Sequence, residues 1–462
     1  MPMCPNSNTP TLLLLAAGLL LLPVSDLAAQ VDSGDAGSAS QAVPENTGGS
    51  APASAPTAAP QQSTEEYLAA VMQQQRLTQQ IRNIRKPLLS REAEKEFIKV
   101  SRNYRSLLGN GPNLASATDQ ALIRQGLEYR ILRASDPAVQ ESPRLMANAL
   151  NDLRRDLKSA GSQITNPQNR SRFREDVCRE AHRILRMLLD NSLDARSFAI
   201  SVLVDLEVVP AAFQQTRIII LDEAAVTLAE ILTDASQPDT IRAIAAAQIE
   251  RFLRTTDAVP VVQMNLARTL ATELARWNTD PAYQLVLIDA LARVTTTREV
   301  VGKNTPTAIE ALAATMADRN RRIDVRCRAA RGVGRVGFDA QINFDPLAWK
   351  VVQLCAETGE FFNGEPGNQA FAVCAADLYL AFHHMTRDEA SPDSRNPAGM
   401  LNRAPTSQLV KAAYSEALKV VLPMLDNAKA IPKNDLKSVF EWASQNAPSS
   451  LVFDQNATPL SK

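Results

Sequence analysis

Apolar residues recur at helical spacing along most of the chain. In the stretch that follows Asp324, four of them (Val325, Ala329, Val333 and Val336) fall at i, i+4, i+8 and i+11. This spacing places all four side chains on one face of an α-helix. Because such a face must be covered by another element, the pattern predicts helices that pack against helices.

The same pattern occurs four times in series. When the four stretches are aligned, they share three apolar columns, namely Ala199, Ala245, Leu287 and Ala329; Leu203, Ile249, Leu291 and Val333; and Leu206, Phe252, Val294 and Val336. Successive members of the first column are 46, 42 and 42 residues apart. Before each stretch the sequence predicts another apolar helix, at residues 174–190, 217–232, 261–277 and 305–318. Two helices per repeat at this period predict an α-solenoid, in which each pair packs against its neighbours.

The beginnings of two of these helices carry an Asp-x-Arg-x-x-Ala motif, at Asp194 and Asp324. The motif resembles the second helix of HEAT repeats. The resemblance implies a right-handed, all-α solenoid of antiparallel helix pairs over residues 166–385, with a fifth second helix at 368–382. It also implies a hydrogen-bonded ladder, interrupted where Gln284 occupies the arginine column. The implied ladder residues are Asp194, Arg196, Asp239, Arg242, Asp324 and Arg326.

Further helices are predicted on both sides of the repeats. An N-terminal helical region spans residues 63–165, with helices at 63–80, 91–108, 119–133 and 142–160. Residues 386–405 form a polar, proline-rich loop. A hairpin over 406–447, with helices at 406–427 and 434–447, would cap the array, and residues 448–462 form a flexible tail.

The N-terminus has the pattern of an export signal. The apolar run at 11–22 is too short to span a bilayer comfortably, and small residues at 27–29 suit cleavage before Gln30. We therefore expect residues 1–29 to be removed and the protein to be periplasmic or extracellular. No lysine or arginine precedes Arg76, so an uncleaved membrane anchor is the alternative. Residues 30–62 are rich in Ala, Ser, Pro and Gly, which predicts a disordered linker.

Composition agrees with an all-α, soluble protein. Aromatic residues make up only 5% of the chain and there are only 17 glycines, while the formal net charge of −1 favours neither nucleic acid nor an anionic membrane as a partner. Four cysteines lie in the predicted helices without any Cys-x-x-Cys spacing, which favours buried free thiols. Cys355 with Cys374 is the pair to check for a disulfide. The four cysteines are Cys178, Cys327, Cys355 and Cys374.

One motif suggests a cofactor. Residues 332–337 read GVGRVG, which matches the dinucleotide-binding pattern G-x-G-x-x-G. That site needs a buried strand before the glycines and a helix directly after them. Here residues 321–331 contain five arginines, and no helix start follows Gly337 directly. The sequence instead predicts the second half of a packed helix, in which Ala330 and Gly334 allow another helix to approach, and it predicts no cofactor.

No catalytic or metal-binding motif is found. The three histidines, His182, His383 and His384, have no zinc-ligand spacing, and residues 302–305 lack the upstream glycine of a phosphate loop. We therefore predict a protein that is not an enzyme. The alternatives are an enzyme accessory or an unrecognised hydrolase, with its site in 63–165 or 386–405, and a structural component of the cell envelope.

The favoured function is an exported scaffold that binds a protein or peptide along its concave face. One column of the second helices contains Arg251, Arg293 and Arg335. The resemblance places second helices on the concave surface, so these residues would form a basic stripe that takes an acidic segment of an exported or envelope protein. The alternative is that the arginines are ordinary surface residues, neutralised by Glu250 and Asp289.

Overall fold

A computed structural model describes residues 86–111, 116–210, 218–256, 258–276, 280–296, 307–338, 342–383, 399–426 and 430–449. All of them lie within the unit Glu65–Lys462. The predicted signal peptide (1–29), linker (30–62) and first helix (63–80) lie outside the described residues, as do most of the 386–405 loop and the 448–462 tail. Of the described residues, 76% are helical.

Within the described residues, four α-helices precede the repeats: α1 (Arg91–Asn110), α2 (Ala117–Leu132), the short α3 (Pro137–Gln140) and α4 (Pro143–Ser159). Each begins after a serine or aspartate whose side chain accepts a hydrogen bond from a backbone N–H of the first turn. Helix α1 packs against α2 and α4, and α2 packs against α4. The helices predicted at 91–108, 119–133 and 142–160 are therefore confirmed.

Five pairs of helices follow in the part of the chain that the structure describes. The first helices of the pairs are α5 (Pro167–Arg186), α7 (Asp222–Thr233), α9 (Pro260–Arg276), α11 (Thr307–Ala317) and α13 (Asp345–Gly364). The second helices are α6 (Leu193–Leu203), α8 (Asp239–Thr255), α10 (Pro281–Leu291), α12 (Ile323–Arg335) and α14 (Gln369–Phe382). All twelve residues of the three apolar columns are at most 1% exposed. The first two columns lie within the helices and confirm the predicted helix face, whereas Leu206, Val294 and Val336 lie beyond the ends of α6, α10 and α12.

Contacts between helices follow the order of the pairs. Second helices touch in the series α6–α8–α10–α12–α14, and first helices touch in the series α7–α9–α11–α13. The two helices of each pair also touch each other. Helix α5 contacts α2, and its side chains Arg179 and Arg186 form ion pairs with Glu223 and Glu230 of α7.

The helix predicted at 217–232 is partly wrong. It begins only at Asp222, because Ile219–Ile220 (β2) pairs antiparallel with Glu207–Val209 (β1). The run Ile218–Ile220 is β-branched, and such side chains lose rotamer freedom in a helix and pack well on a strand.

The C-terminal part packs back onto the last pair. Helix α16 (Gln408–Asp426) contacts α13 and α14, and α17 (Lys433–Gln445) contacts α13 and α16. The end of the predicted 386–405 loop is not wholly polar or irregular, since Met400–Arg403 forms a short helix (α15) in which Met400 is fully buried.

The first four residues of the GVGRVG motif form the last turn of α12, and Val336 and Gly337 follow the end of the helix. A Cβ atom on Gly334 would collide with the backbone carbonyl of Ala381 in α14, so the glycine permits a close approach of the two helices. The backbone carbonyls of Arg335 and Val336 accept hydrogen bonds from the guanidinium group of Arg403. A dinucleotide site needs the N–H groups of a helix N-terminus. This motif has the opposite polarity, because it presents carbonyl oxygens to a cation.

The cysteines Cys178, Cys327, Cys355 and Cys374 are all free and buried, and Cys355 is not bonded to Cys374. Burial raises the pKa of the Cys178 thiol to about 12. We expect iodoacetamide at pH 8 to leave these four thiols unmodified in the folded protein and to alkylate all four after unfolding without a reductant, as read by peptide mass spectrometry. Recovery of any of them as a disulfide would contradict the structure.

Candidate functional site

The arginines of the predicted ladder are buried and each is anchored by its Nε atom on a backbone carbonyl. The acceptor lies at the end of the preceding helix or in the turn after it, and for Arg242 and Arg326 it is ten residues earlier in the chain. The bonds run from Arg196 to Asn191 (2.8 Å), from Arg242 to Leu232 (2.9 Å) and from Arg326 to Met316 (3.1 Å).

The other end of each guanidinium reaches towards the next helix pair. Arg242 pairs with the fully buried Glu273 of α9, and Nη2 of Arg326 lies 2.7 Å from Glu357 of α13. Arg196 donates to the side-chain oxygen of Gln237 at 3.0 Å. These contacts differ from the expected ladder of Asp and Arg side chains. They are joints between pairs, in which Arg242 and Arg326 each hold a carboxylate of the next first helix and Arg196 holds the side-chain amide of Gln237.

The three aspartates of the predicted ladder take a smaller part in these joints than the arginines do. Asp239 lies 3.9 Å from Arg242, Asp324 pairs with its neighbour Arg322 at 2.9 Å, and Asp194 is exposed. They occupy the first turns of their helices, where a negative charge is stabilised by the helix dipole.

The expected interruption at Gln284 is filled by another residue. Arg321, in the turn before α12, donates to the Gln284 side chain at 2.7 Å and to the backbone carbonyl of Leu274 at 2.9 Å. Leu274 is ten residues before Gln284, the same offset as in the joints of Arg242 and Arg326. A guanidinium from the next pair therefore occupies the position of the missing arginine.

The three arginines of the predicted basic stripe are not freely exposed. Arg251 donates to Asp205 at 2.6 Å and Arg293 to Glu250 at 2.8 Å, with 34% and 26% of their side chains exposed. Arg335 is half-buried at the end of α12. Glu250 therefore neutralises Arg293, as the alternative interpretation states. Asp205 neutralises Arg251 in the same way.

Three carboxylates near the ends or on the faces of the second helices are each shared by two arginines. We call such a group a clasp. The first clasp is Asp205 with Arg154 (2.7 Å) and Arg251, the second is Glu250 with Arg254 (3.4 Å) and Arg293, and the third is Asp377 with Arg328 (3.0 Å) and Arg331 (3.3 Å). Asp289 lies 3.3 Å from Arg328 and links α10 with α12.

Within each clasp the carboxylate is less exposed than the guanidinium groups. The side chains of Asp205, Glu250 and Asp377 are 10%, 20% and 4% exposed. Those of the six arginines range from 18% to 52%. Burial raises the pKa of Asp377, and its two arginines oppose this shift. The clasps therefore present positive charge to solvent above carboxylates that hold the arginines in place.

A cavity of about 320 Å³ lies where α12 ends and α13 and α16 begin. It is lined in part by Phe338, Asp345, Arg403 and Ser407. The Ser407 hydroxyl donates to Asp345 at 2.5 Å and accepts from the backbone N–H of Val410, so it caps α16. Arg403 lies 4.9 Å from the centre of the Phe338 ring while it caps α12. None of the described residues that line the cavity is a histidine.

The described ranges contain no group of three or more His, Cys, Asp or Glu side chains that could hold a metal ion. His182 shares a hydrogen bond of 2.9 Å with Thr227. Burial lowers the pKa of His182, and the positive charge of Arg186 lowers it further. His383 stacks on Tyr379 at 4.8 Å, and His384 lies outside the described residues. In the same ranges, none of the helices combines the length and the apolar character needed to cross a bilayer.

Comparison of the chain with models of known protein families, with functionally characterised proteins and with solved structures finds no match in any of the three.

Proposed function

We propose that this protein is an exported, non-catalytic scaffold, built as a HEAT-like α-solenoid, that binds another exported or envelope protein. The observation that carries the proposal is the order of helix contacts, in which second helices touch second helices and first helices touch first helices along the series. Such neighbour-only packing is typical of solenoids, whose long surfaces bind other proteins.

The repeated joints support the same interpretation. Arg242–Glu273 and Arg326–Glu357 connect successive pairs at the same offset of 31 residues, and Arg321 completes the series at the pair between them. Because each joint fixes one pair on the next, the array is a rigid support. A rigid support positions contact residues without a large loss of conformational entropy on binding.

Site-specific photocrosslinking tests this function. A photoreactive residue would replace Arg154 or Arg254, on the side of the clasps, or Arg179 or Arg186, on the first helices. We expect crosslinks to an exported protein from the first two positions and few from the other two. Absence of crosslinks from all four positions in exporting cells would contradict the scaffold, and crosslinks from Arg179 and Arg186 alone would place the binding surface on the first helices.

A further inference from the structure

We propose that the three clasps form a docking surface for an extended acidic segment of a partner protein. The segment would place one of its own carboxylates at each helix pair. This inference rests on the proposed scaffold function and specifies its partner. The surface, called the clasp surface below, consists of Arg154, Arg251, Arg254, Arg293, Arg328 and Arg331 with Asp205, Glu250, Asp289 and Asp377.

The charges of the clasp surface do not cancel. It has six arginines and four carboxylates, which leaves an excess of two positive charges. Glu207 and Lys158 lie beside the first clasp and offset each other. In the three clasps the carboxylates are more buried than their arginines, so an approaching ligand meets the guanidinium groups first. Between the second and the third clasp it also meets Asp289, whose side chain is 42% exposed. Charge complementarity therefore selects an anionic partner.

The clasps also reduce the entropy that an arginine loses when it binds a ligand. A free arginine side chain has about 2 kcal/mol of rotamer entropy to lose. Arg251 and Arg293 are already held by hydrogen bonds of 2.6 and 2.8 Å to their carboxylates. A planar guanidinium has five N–H donors, so each can bind its own carboxylate and still donate to a second one.

The spacing of the clasps indicates the shape of the segment. The first clasp joins α6 with α8, the second joins α8 with α10, Asp289 and Arg328 join α10 with α12, and the third joins α12 with α14. Packed helices lie about 8–10 Å apart. A polyproline II helix has three residues per turn and rises about 9.3 Å per turn. Every third residue of such a segment therefore faces the same side at the spacing of the helices, and about ten residues span the three clasps.

The test uses the full chain and three labelled peptides. The probe is (Glu-Pro-Pro)4, the charge control is (Gln-Pro-Pro)4, and the spacing control has four glutamates followed by eight prolines. Binding is measured by fluorescence anisotropy at low and at physiological salt. We expect the probe to bind more tightly than both controls and its affinity to fall as salt rises, since screening weakens exposed charge pairs.

Two matched variants locate the binding. The clasp variant carries Arg154→Gln, Arg254→Gln and Arg331→Gln, which leaves one arginine on every carboxylate of a clasp. The control variant carries Arg124→Gln, Arg179→Gln and Arg186→Gln, whose ion pairs lie on α2, α5 and α7. Both variants lose three positive charges, so an effect of total charge would be equal in both. We expect about a tenfold loss of affinity for the probe in the clasp variant, at a few tenths of a kcal/mol or more for each exposed pair, and less than twofold in the control.

Thermal melts monitored by circular dichroism verify that both variants fold. If the clasp variant does not, the single variant Arg254→Gln replaces it, with an expected loss of two- to threefold, since this side chain is 52% exposed. Equal loss in both variants, equal binding of the probe and the spacing control, or tighter binding of a dT12 oligonucleotide than of the probe would overturn the acidic-segment proposal. If crosslinks still arise from Arg154 and Arg254, the scaffold function stands without it.

Discussion

Replacing Gly334 with alanine is expected to lower the free energy of unfolding by about 2–3 kcal/mol, and leucine is expected to lower it further. A Cβ atom at this position collides with the backbone of Ala381, so α12 and α14 have to move apart. That movement also disturbs the hydrogen bond of 2.6 Å that the Gly399 N–H donates to the Gly334 carbonyl. Chemical denaturation followed by circular dichroism measures the loss.

Gly364→Ala is the matched control. Gly364 is the last residue of α13, and a Cβ atom there meets nothing within 4 Å. We expect this change to leave the stability unaltered or to raise it by up to about 1 kcal/mol, because alanine reduces the entropy of the unfolded chain. Equal stability of the Gly334 and Gly364 variants would mean that α12 and α14 are not in backbone contact.

Removing the guanidinium of Arg242 is expected to lower the free energy of unfolding by about 3–5 kcal/mol. Glu273 is 0% exposed, so Arg242→Ala removes the buried guanidinium from a buried carboxylate, whose other ion pair is with Arg276, a side chain that is 63% exposed. The change also removes a donor to the Leu232 carbonyl and a cation 5.8 Å from the Tyr283 ring. Chemical denaturation followed by circular dichroism measures this loss of stability as well.

Two further variants separate the joint from ordinary charge effects. Arg186→Ala removes an ion pair with Glu230 in which both side chains are about half exposed, and we expect it to change the stability by less than about 1 kcal/mol. The double variant Arg242→Met, Glu273→Leu should recover most of the stability lost in Arg242→Ala, since no buried charge remains unpaired. A loss in Arg242→Ala no larger than that in Arg186→Ala would mean that Glu273 is hydrated.

The helix faces could be predicted because their period is local. The columns that contain Ala199 and Leu203 need only the spacing of apolar residues within one helix, and all their members are buried. The column that contains Leu206 is also buried, but three of its four members lie just beyond the ends of their helices. The strand at Ile219–Ile220 was missed because a short apolar run fits the period of a helix and that of a strand equally well. Its pairing with Glu207–Val209 is a tertiary contact, which the local sequence does not indicate.

The clasps could be predicted only in part, because they depend on the register between helices. Arg251 and Arg293 follow from one column, but Asp205 reaches Arg251 and Arg154 only through the packing of three helices. The third clasp was missed because the spacing of residues 368–382 did not fix which side Asp377 faces. The contacts of the buried arginines could not be predicted for the same reason. Arg321 completes the joint at Gln284 from a turn, and nothing in the sequence of that turn indicates this contact.

The central claim, that the helix pairs form a stacked array, is tested most directly by distances between spin labels. Asp194, Thr240, Ala282 and Asp324 are each the second residue of α6, α8, α10 and α12. Cysteines introduced there can be labelled selectively because the native thiols of the described chain are buried. For a stacked array we predict that the 194–324 distance exceeds the 194–282 distance by about 8–10 Å, and the 240–324 distance should match 194–282 within a few ångströms. A 194–324 distance no longer than 194–282 would mean that the helices close into a bundle, and it would contradict the solenoid.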